Sequence, residues 1–155
     1  MKRRILFLCA TNGQNSLMAE ALLHRIDSQH FEATSAGTAA GRIHPFAATA
    51  MDELGIDLSN KTLQSVQEVA GQKFDYVITL GEKDCGHSYN FQGAETIHWK
   101  LADPTVGSED TEKQLREFRI VRDQIAQRLR LFVIVHVRPQ RAAASAPLSM
   151  VQTAR

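Results

Sequence analysis

"FLCATNGQNSLMAEALL" (residues 7–23) passes from an apolar run through a polar, glycine-containing loop into a helical pattern. Its first part belongs to "ILFLC" (5–9), which has the length of a buried strand. Beyond the loop, Ala19, Leu22, Leu23 and Ile26 recur at helical spacing and predict an amphipathic helix from about Ser16 to Ser28. A strand–loop–helix turn aims successive backbone N–H groups at one point. The helix adds its own unpaired donors and the positive end of its dipole. Such a turn holds an anion without any charged side chain. Gly13 supplies backbone freedom and Asn12 tolerates the left-handed region. A cysteine at the lip, Cys9, would have its thiol pKa lowered by the same field, and the thiolate is the nucleophilic form. The other reading is plainer: cysteine is among the most buried residue types and can simply end a core strand. On spacing alone the two readings stand level.

The rest of the chain continues the alternation. "FEATSAG" (31–37) suits a second strand, and "HPFAATAMDELG" (44–55) a helix with Pro45 in its first turn and Gly55 past its end. "FDYVITL" (74–80), rich in aromatic and β-branched residues, is the strongest strand, and "ETIHW" (95–99) is a shorter one. A long closing helix over 109–133 carries Leu115, Phe118, Val121, Ile125 and Leu129 on one face. Strands alternating with helices predict an α/β fold with a mostly parallel sheet and helices on both faces. Ligands of such folds sit beyond the carboxyl ends of the strands, where the opening stretch lies. Residues 1–135 are read as one domain. Residues 136–155, rich in Ala, Ser and Pro without a sustained apolar stripe, are read as a disordered tail.

The bulk numbers fit one soluble domain: 155 residues, 43% hydrophobic and 23% charged. The net charge of +1 gives no reason to expect nucleic acid or an anionic membrane as partner. Arg138, Arg141 and Arg155 give residues 137–155 a charge of +3, which leaves −2 on the body. Two cysteines, Cys9 and Cys85, make no disulfide framework and suit a reducing cytoplasm. The apolar run at the N-terminus is too short for a signal peptide, and no stretch approaches transmembrane length. Cys85 and His87 lack a second ligand pair, so no metal is expected. No Walker loop or dinucleotide fingerprint is present, so no cofactor is implied.

Three motifs, in order, carry a family resemblance: Cys9, "ATNGQ", Asn15 and Ser16 followed by "MAE" (18–20); "TSAGTAAGRIHPFAATAMDELGIDL" (34–58); and "HWKLADP" (98–104). Together they resemble the low-molecular-weight phosphatase superfamily, which includes tyrosine phosphatases and thiol-dependent arsenate reductases. The third segment is closer to the reductases. The likeness spans residues 4 to about 132. It implies a three-layer sandwich with a four-stranded parallel sheet between helices.

The resemblance also assigns roles. Cys9 matches the nucleophile, Ser16 the hydroxyl that supports its thiolate, and Asp103 the general acid that protonates a leaving oxygen. Ala10, Thr11, Asn12, Gly13, Gln14 and Asn15 match the oxyanion-binding loop. The plainer readings are a turn residue for Asp103, a helix N-cap for Ser16, and strand-end packing for His98 and Trp99. Two departures stand out. The family's loop ends in an arginine, a fixed fork of donors with a full charge, where this chain has Asn15. Arg42, His44 and Lys61 are candidate replacement cations. The thioredoxin-coupled reductases also carry two relay cysteines, whose positions fall here on Gly81 and Ser88. Cys85 lies between them, read either as a resolving thiol or as a spare one.

The implied functions are three. One is an arsenate reductase-like enzyme that takes its electrons from a small thiol or a thiol-redox protein. Another is a phosphatase acting on phosphoesters, against which "TVGSED" (105–110) lacks the tyrosines that family phosphatases commonly carry there. The last is a homologue that binds a small oxyanion or a partner without turnover.

Overall fold

The computed structural model describes residues 2–9, 14–38, 41–82, 91–106 and 109–153, with side chains described as far as Val137. The elements are β1 (Arg3–Cys9), α1 (Gln14–Asp27), β2 (Phe31–Gly37), α2 (Pro45–Asp52), α3 (Val66–Val69), β3 (Tyr76–Gly81), β4 (Glu95–Lys100) and α4 (Thr111–Thr153). All strands run parallel in the order β2-β1-β3-β4. This is a single α/β domain with a four-stranded parallel sheet flanked by helices.

The unbroken apolar run of β1 follows from burial on both faces. Ile5 and Phe7 join a core built with α1, α2 and α4, where Leu17, Met51 and Phe118 are buried. Leu6 and Leu8 point the other way, into a smaller core with Val66, Val69, Phe74 and Val77. The face predicted for the closing helix is the one α4 buries: Phe118, Val121, Ile125 and Leu129 are at most 2% exposed.

α2 begins at Pro45 as expected and is capped by His44, whose Nδ1 accepts the Phe46 N–H at 3.0 Å. It ends before Gly55, whose φ of 76° lets the chain reverse so that the Ile56 N–H bonds the Met51 carbonyl at 3.0 Å. The one-turn helix α3 is an element the sequence reading omits. Its start is fixed by the Ser65 N–H donating to the Glu68 carboxylate at 2.6 Å. The backbone of α4 runs from Thr111 to Thr153. Among the described residues no helix is long and apolar enough to cross a membrane.

Candidate active site

Parallel order β2-β1-β3 puts the end of β1 at the centre of the sheet's carboxyl edge. Cys9 sits there in register between Gly37 of β2 and Leu80 of β3. To one side of β1 the chain runs through α1 to β2, and on the other lies β3, so the strand order reverses at this point. Ligand crevices of open α/β sheets form at such reversals. Cys9 is in no disulfide and is 4% exposed. Ala10, Thr11, Asn12 and Gly13 of the candidate loop lie outside the described residues, as does Cys85.

α1 starts at Gln14, earlier than the sequence reading by two residues. The cause is that three successive polar side chains are buried there and tied to different parts of the fold. Gln14, Asn15 and Ser16 are 4%, 3% and 1% exposed. The Gln14 amide donates from Nε2 to the Arg42 carbonyl at 3.1 Å, and its Oε1 accepts the His44 N–H at 2.9 Å. Ser16 Oγ donates to the Ala36 carbonyl of β2 at 3.2 Å. Asn15 Nδ2 donates to the Ala102 carbonyl at 3.0 Å. Polar side chains survive burial only when bonded in this way. One atom breaks the pattern: Asn15 Oδ1 is buried and has no hydrogen-bond partner.

The bond from Asn15 reaches the residue just before Asp103. Asp103, half-buried, begins a tight turn: its Oδ1 accepts the Thr105 N–H at 2.9 Å and the Thr105 hydroxyl at 2.6 Å. The turn closes with the Val106 N–H on the Asp103 carbonyl at 3.3 Å, and Gln114 of α4 holds the Thr105 carbonyl at 3.3 Å. Asp103 is thus a turn residue, as the plainer reading had it, and the residue before it is the one bonded to the start of α1. A groove of about 480 Å³ opens against Asp103, lined also by Glu82, Ala102, Val106, Glu117 and Ile120.

The candidate replacement cations differ in what they are free to do. Lys61 pairs with Glu20 at 3.4 Å. His44 caps α2 through an unprotonated Nδ1, its ring lies tilted 4.8 Å from that of Phe118, and burial pushes its pKa down. Arg42 is exposed, its carbonyl gripped by Gln14 and its guanidinium in no ion pair among the described residues. His98 and Trp99 serve the sheet. His98 Nδ1 meets the Thr79 hydroxyl at 2.7 Å, and Trp99 packs edge-on to Phe132 under Arg128.

At the relay position Gly81, φ is 149°, and the Leu101 N–H bonds its carbonyl at 3.1 Å. Among the described residues no group of three His, Cys, Asp or Glu side chains is placed to hold a metal ion. Sequence reasoning missed the clips made by the Gln14 side chain, Thr105 and Gln114. Only Thr105 left a signal, the Asp-Pro-Thr turn pattern.

The sequence and the fold are similar to those of known proteins. The chain is 35% identical over 136 residues to an arsenate reductase of Halalkalibacterium halodurans, covering 84% of this chain and 95% of that one. It is 30% identical over 132 residues to a glutaredoxin arsenate reductase of Synechocystis, covering 82% and 93%. Its structure superposes on that of an arsenate reductase in the phosphate binding state with a TM-score of 0.69 at 28% identity, covering 84% and 96%. The model for low molecular weight phosphotyrosine protein phosphatases matches residues 4–143. With the family model matched over residues 4–143 and relatives at 30% and 35% identity covering more than four fifths of it, the chain belongs to the low molecular weight phosphotyrosine protein phosphatase family.

Proposed function

We propose that this protein is a thiol-dependent arsenate reductase with Cys9 as nucleophile. The Cys9 thiolate attacks the arsenic of a bound arsenate. The displaced oxygen leaves as water after taking a proton from Asp103, which gives a thiol–arsenic(V) adduct. A thiolate from outside then attacks Cys9 Sγ. The sulfur–arsenic bond breaks, its electron pair stays on arsenic as arsenic(III), and Cys9 is left in a mixed disulfide. A second external thiol releases it. Backbone donors at the start of α1 neutralise the oxyanion. Ser16 supports the thiolate and Asp103 is the acid. Gly81 at the first relay position favours an external reductant, either a small thiol or a thiol-redox protein such as the one named for the Synechocystis relative. Cytoplasm is the compartment that would keep Cys9 reduced.

The observation that carries this reading is the Asn15–Ala102 bond, which ties the helix after the cysteine loop to the residue before Asp103. The test is arsenate-dependent oxidation of glutathione, run beside p-nitrophenyl phosphate hydrolysis. The expected result is arsenate-dependent thiol oxidation that disappears in Cys9→Ser. Phosphoester hydrolysis alone would transfer the site to phosphatase chemistry. A native protein inert in both assays, with activity appearing in Asn15→Arg, would make it a binding homologue. Asn15→Arg is expected to raise the rate by about 10²–10³-fold, the usual worth of one preorganised donor to an oxyanion.

A further inference from the structure

The helix α4 carries two apolar stripes. Phe118, Val121, Ile125, Leu129 and Phe132 form the first and are buried in the core. The second lies on the opposite side: Ile120, Leu131, Ile134 and Val135 are 49%, 56%, 47% and 61% exposed. Val106, 62% exposed, adjoins it, lining one groove with Ile120 and Gln124. Five of the six large exposed apolar residues described thus gather on one face, and contiguous apolar patches of this kind mark interaction surfaces. A helix packed on a single core needs only one such stripe. The second stripe has an order. Glu117, Ile120, Gln124, Gln127, Leu131 and Ile134 follow one another at spacings of three, four, three, four and three, the seam of a two-helix coil. Asp123 and Arg130 flank that seam on one side, both exposed, and Arg130 makes no ion pair among the described residues.

We propose that this face pairs with its own copy, as an antiparallel two-fold contact between the α4 helices of two chains. A two-fold contact must be self-complementary, because the same patch supplies both sides. The seam meets that condition in one register. Setting Gln124 opposite the partner's Gln127 brings Ile120 opposite the partner's Leu131, and the two-fold axis repeats both contacts. The Gln amides carry donors and acceptors for each other. In the same register Asp123 lies beside the partner's Arg130, again twice, because a two-fold axis across antiparallel helices brings the same flank of each together. Opposite charges at the edge of a contact fix its register. Ile134 falls at the two ends, beside the partner's Glu117, whose carboxylate stays in water. A parallel pairing fits worse. It would stack Glu117 on the partner's Glu117, and turn Asp123 toward the partner's Arg128, whose guanidinium already lies 5.9 Å from the Trp99 ring centroid. The antiparallel contact also reaches the candidate active site. Ile120 lines the groove that opens against Asp103, so the partner's Leu131 packs at its rim.

The test is sedimentation velocity of the full chain, with its thiols reduced, from about 1 to 100 μM, the range in which a contact of few anchor residues dissociates. The native protein is expected to shift from monomer to dimer over that range. Leu131→Asp, at an exposed position outside the core, is expected to raise the dissociation constant at least about tenfold, because the charge would be buried against Ile120. Arg130→Glu sets two carboxylates together and is expected to weaken the dimer in the same direction. Adding Asp123→Lys to it restores the opposite pair and is expected to bring the constant back to within about threefold of native. Residues 123 and 130 stand two turns apart on one helix and cannot pair within a chain, so only a contact between chains gives that rescue. A native protein that stays monomeric throughout would overturn the proposal and leave the face to a partner of another kind. So would a dimer that Leu131→Asp leaves unchanged, or one that the folded double variant fails to restore.

Discussion

Gln14, the first residue of α1, holds the Arg42 carbonyl at 3.1 Å and so fixes a segment 28 residues away against the start of the helix. Its other amide atom takes the His44 N–H at 2.9 Å, which makes the side chain a two-point clip. In Gln14→Ala both backbone groups lose their partner in a part-buried setting. The expected loss of unfolding free energy is about 2 kcal/mol, the scale for orphaned backbone groups, and urea denaturation checks it.

The clip fixes the Arg42 backbone against the start of α1, and Arg42, unlike Lys61, makes no ion pair among the described residues. Arg42→Ala is therefore expected to weaken phosphate binding by about tenfold, the scale of one charge-assisted hydrogen bond. Lys61→Ala is expected to leave affinity within about twofold, because Lys61 is already spent on Glu20 at an exposed surface site. Equal losses in the two variants would mean that a general positive field, not Arg42, is at work.

Asp103→Asn keeps an oxygen for the Thr105 N–H and removes the proton that a leaving oxygen requires. Turnover is expected to fall by about 10²–10⁴-fold with phosphate affinity little changed, since the acid acts as the bond breaks. A matching fall in affinity would show that the carboxyl holds the loop rather than supplying the proton.

Glu53, past the end of α2, gives an acid-limb prediction. Its carboxylate accepts from Arg119 at 2.6 Å and from Arg122 at 2.8 Å, and Arg122 also donates to the Ala50 carbonyl at 2.7 Å. The Arg119 hydrogen bonds, then those of Arg122, pull the Glu53 pKa below its ordinary value of 4.5. The folded state therefore prefers the ionised form. The stability this gives is complete above the ordinary value and is lost as pH falls through the depressed one. The melting temperature of the native protein is expected to drop on acidification below about pH 4.5, and that of Glu53→Gln to start lower and drop less. Parallel curves would show that the cluster does not couple to acid unfolding.

The sequence disclosed the fold well because each strand and long helix carries its own periodicity. β1 reads as continuously apolar because Ile5 and Phe7 face one core while Leu6 and Leu8 face the other. α4 reads from its stripe because that stripe is what it buries. The one-turn helix α3 escaped since four residues carry no period, although Ser65 and Glu68 spell a capping box. The position of Cys9 at the carboxyl edge followed from strand–loop–helix order. The clips did not. That Gln14 reaches residues 42 and 44, or that Asn15 reaches residue 102, depends on how distant segments meet, and no local pattern encodes it.

Gly81 sets a limit on how the chain could acquire an internal electron relay. A side chain there would meet no heavy atom within 4 Å, so space is available. The obstacle is the backbone: at φ 149° an L-residue is strained, by about 1–3 kcal/mol. A cysteine at this position would have to drag the end of β3 into a different conformation and disturb the carbonyl that bonds Leu101. A relay thiol at this position would thus carry a backbone cost that a thiol on a separate molecule would not.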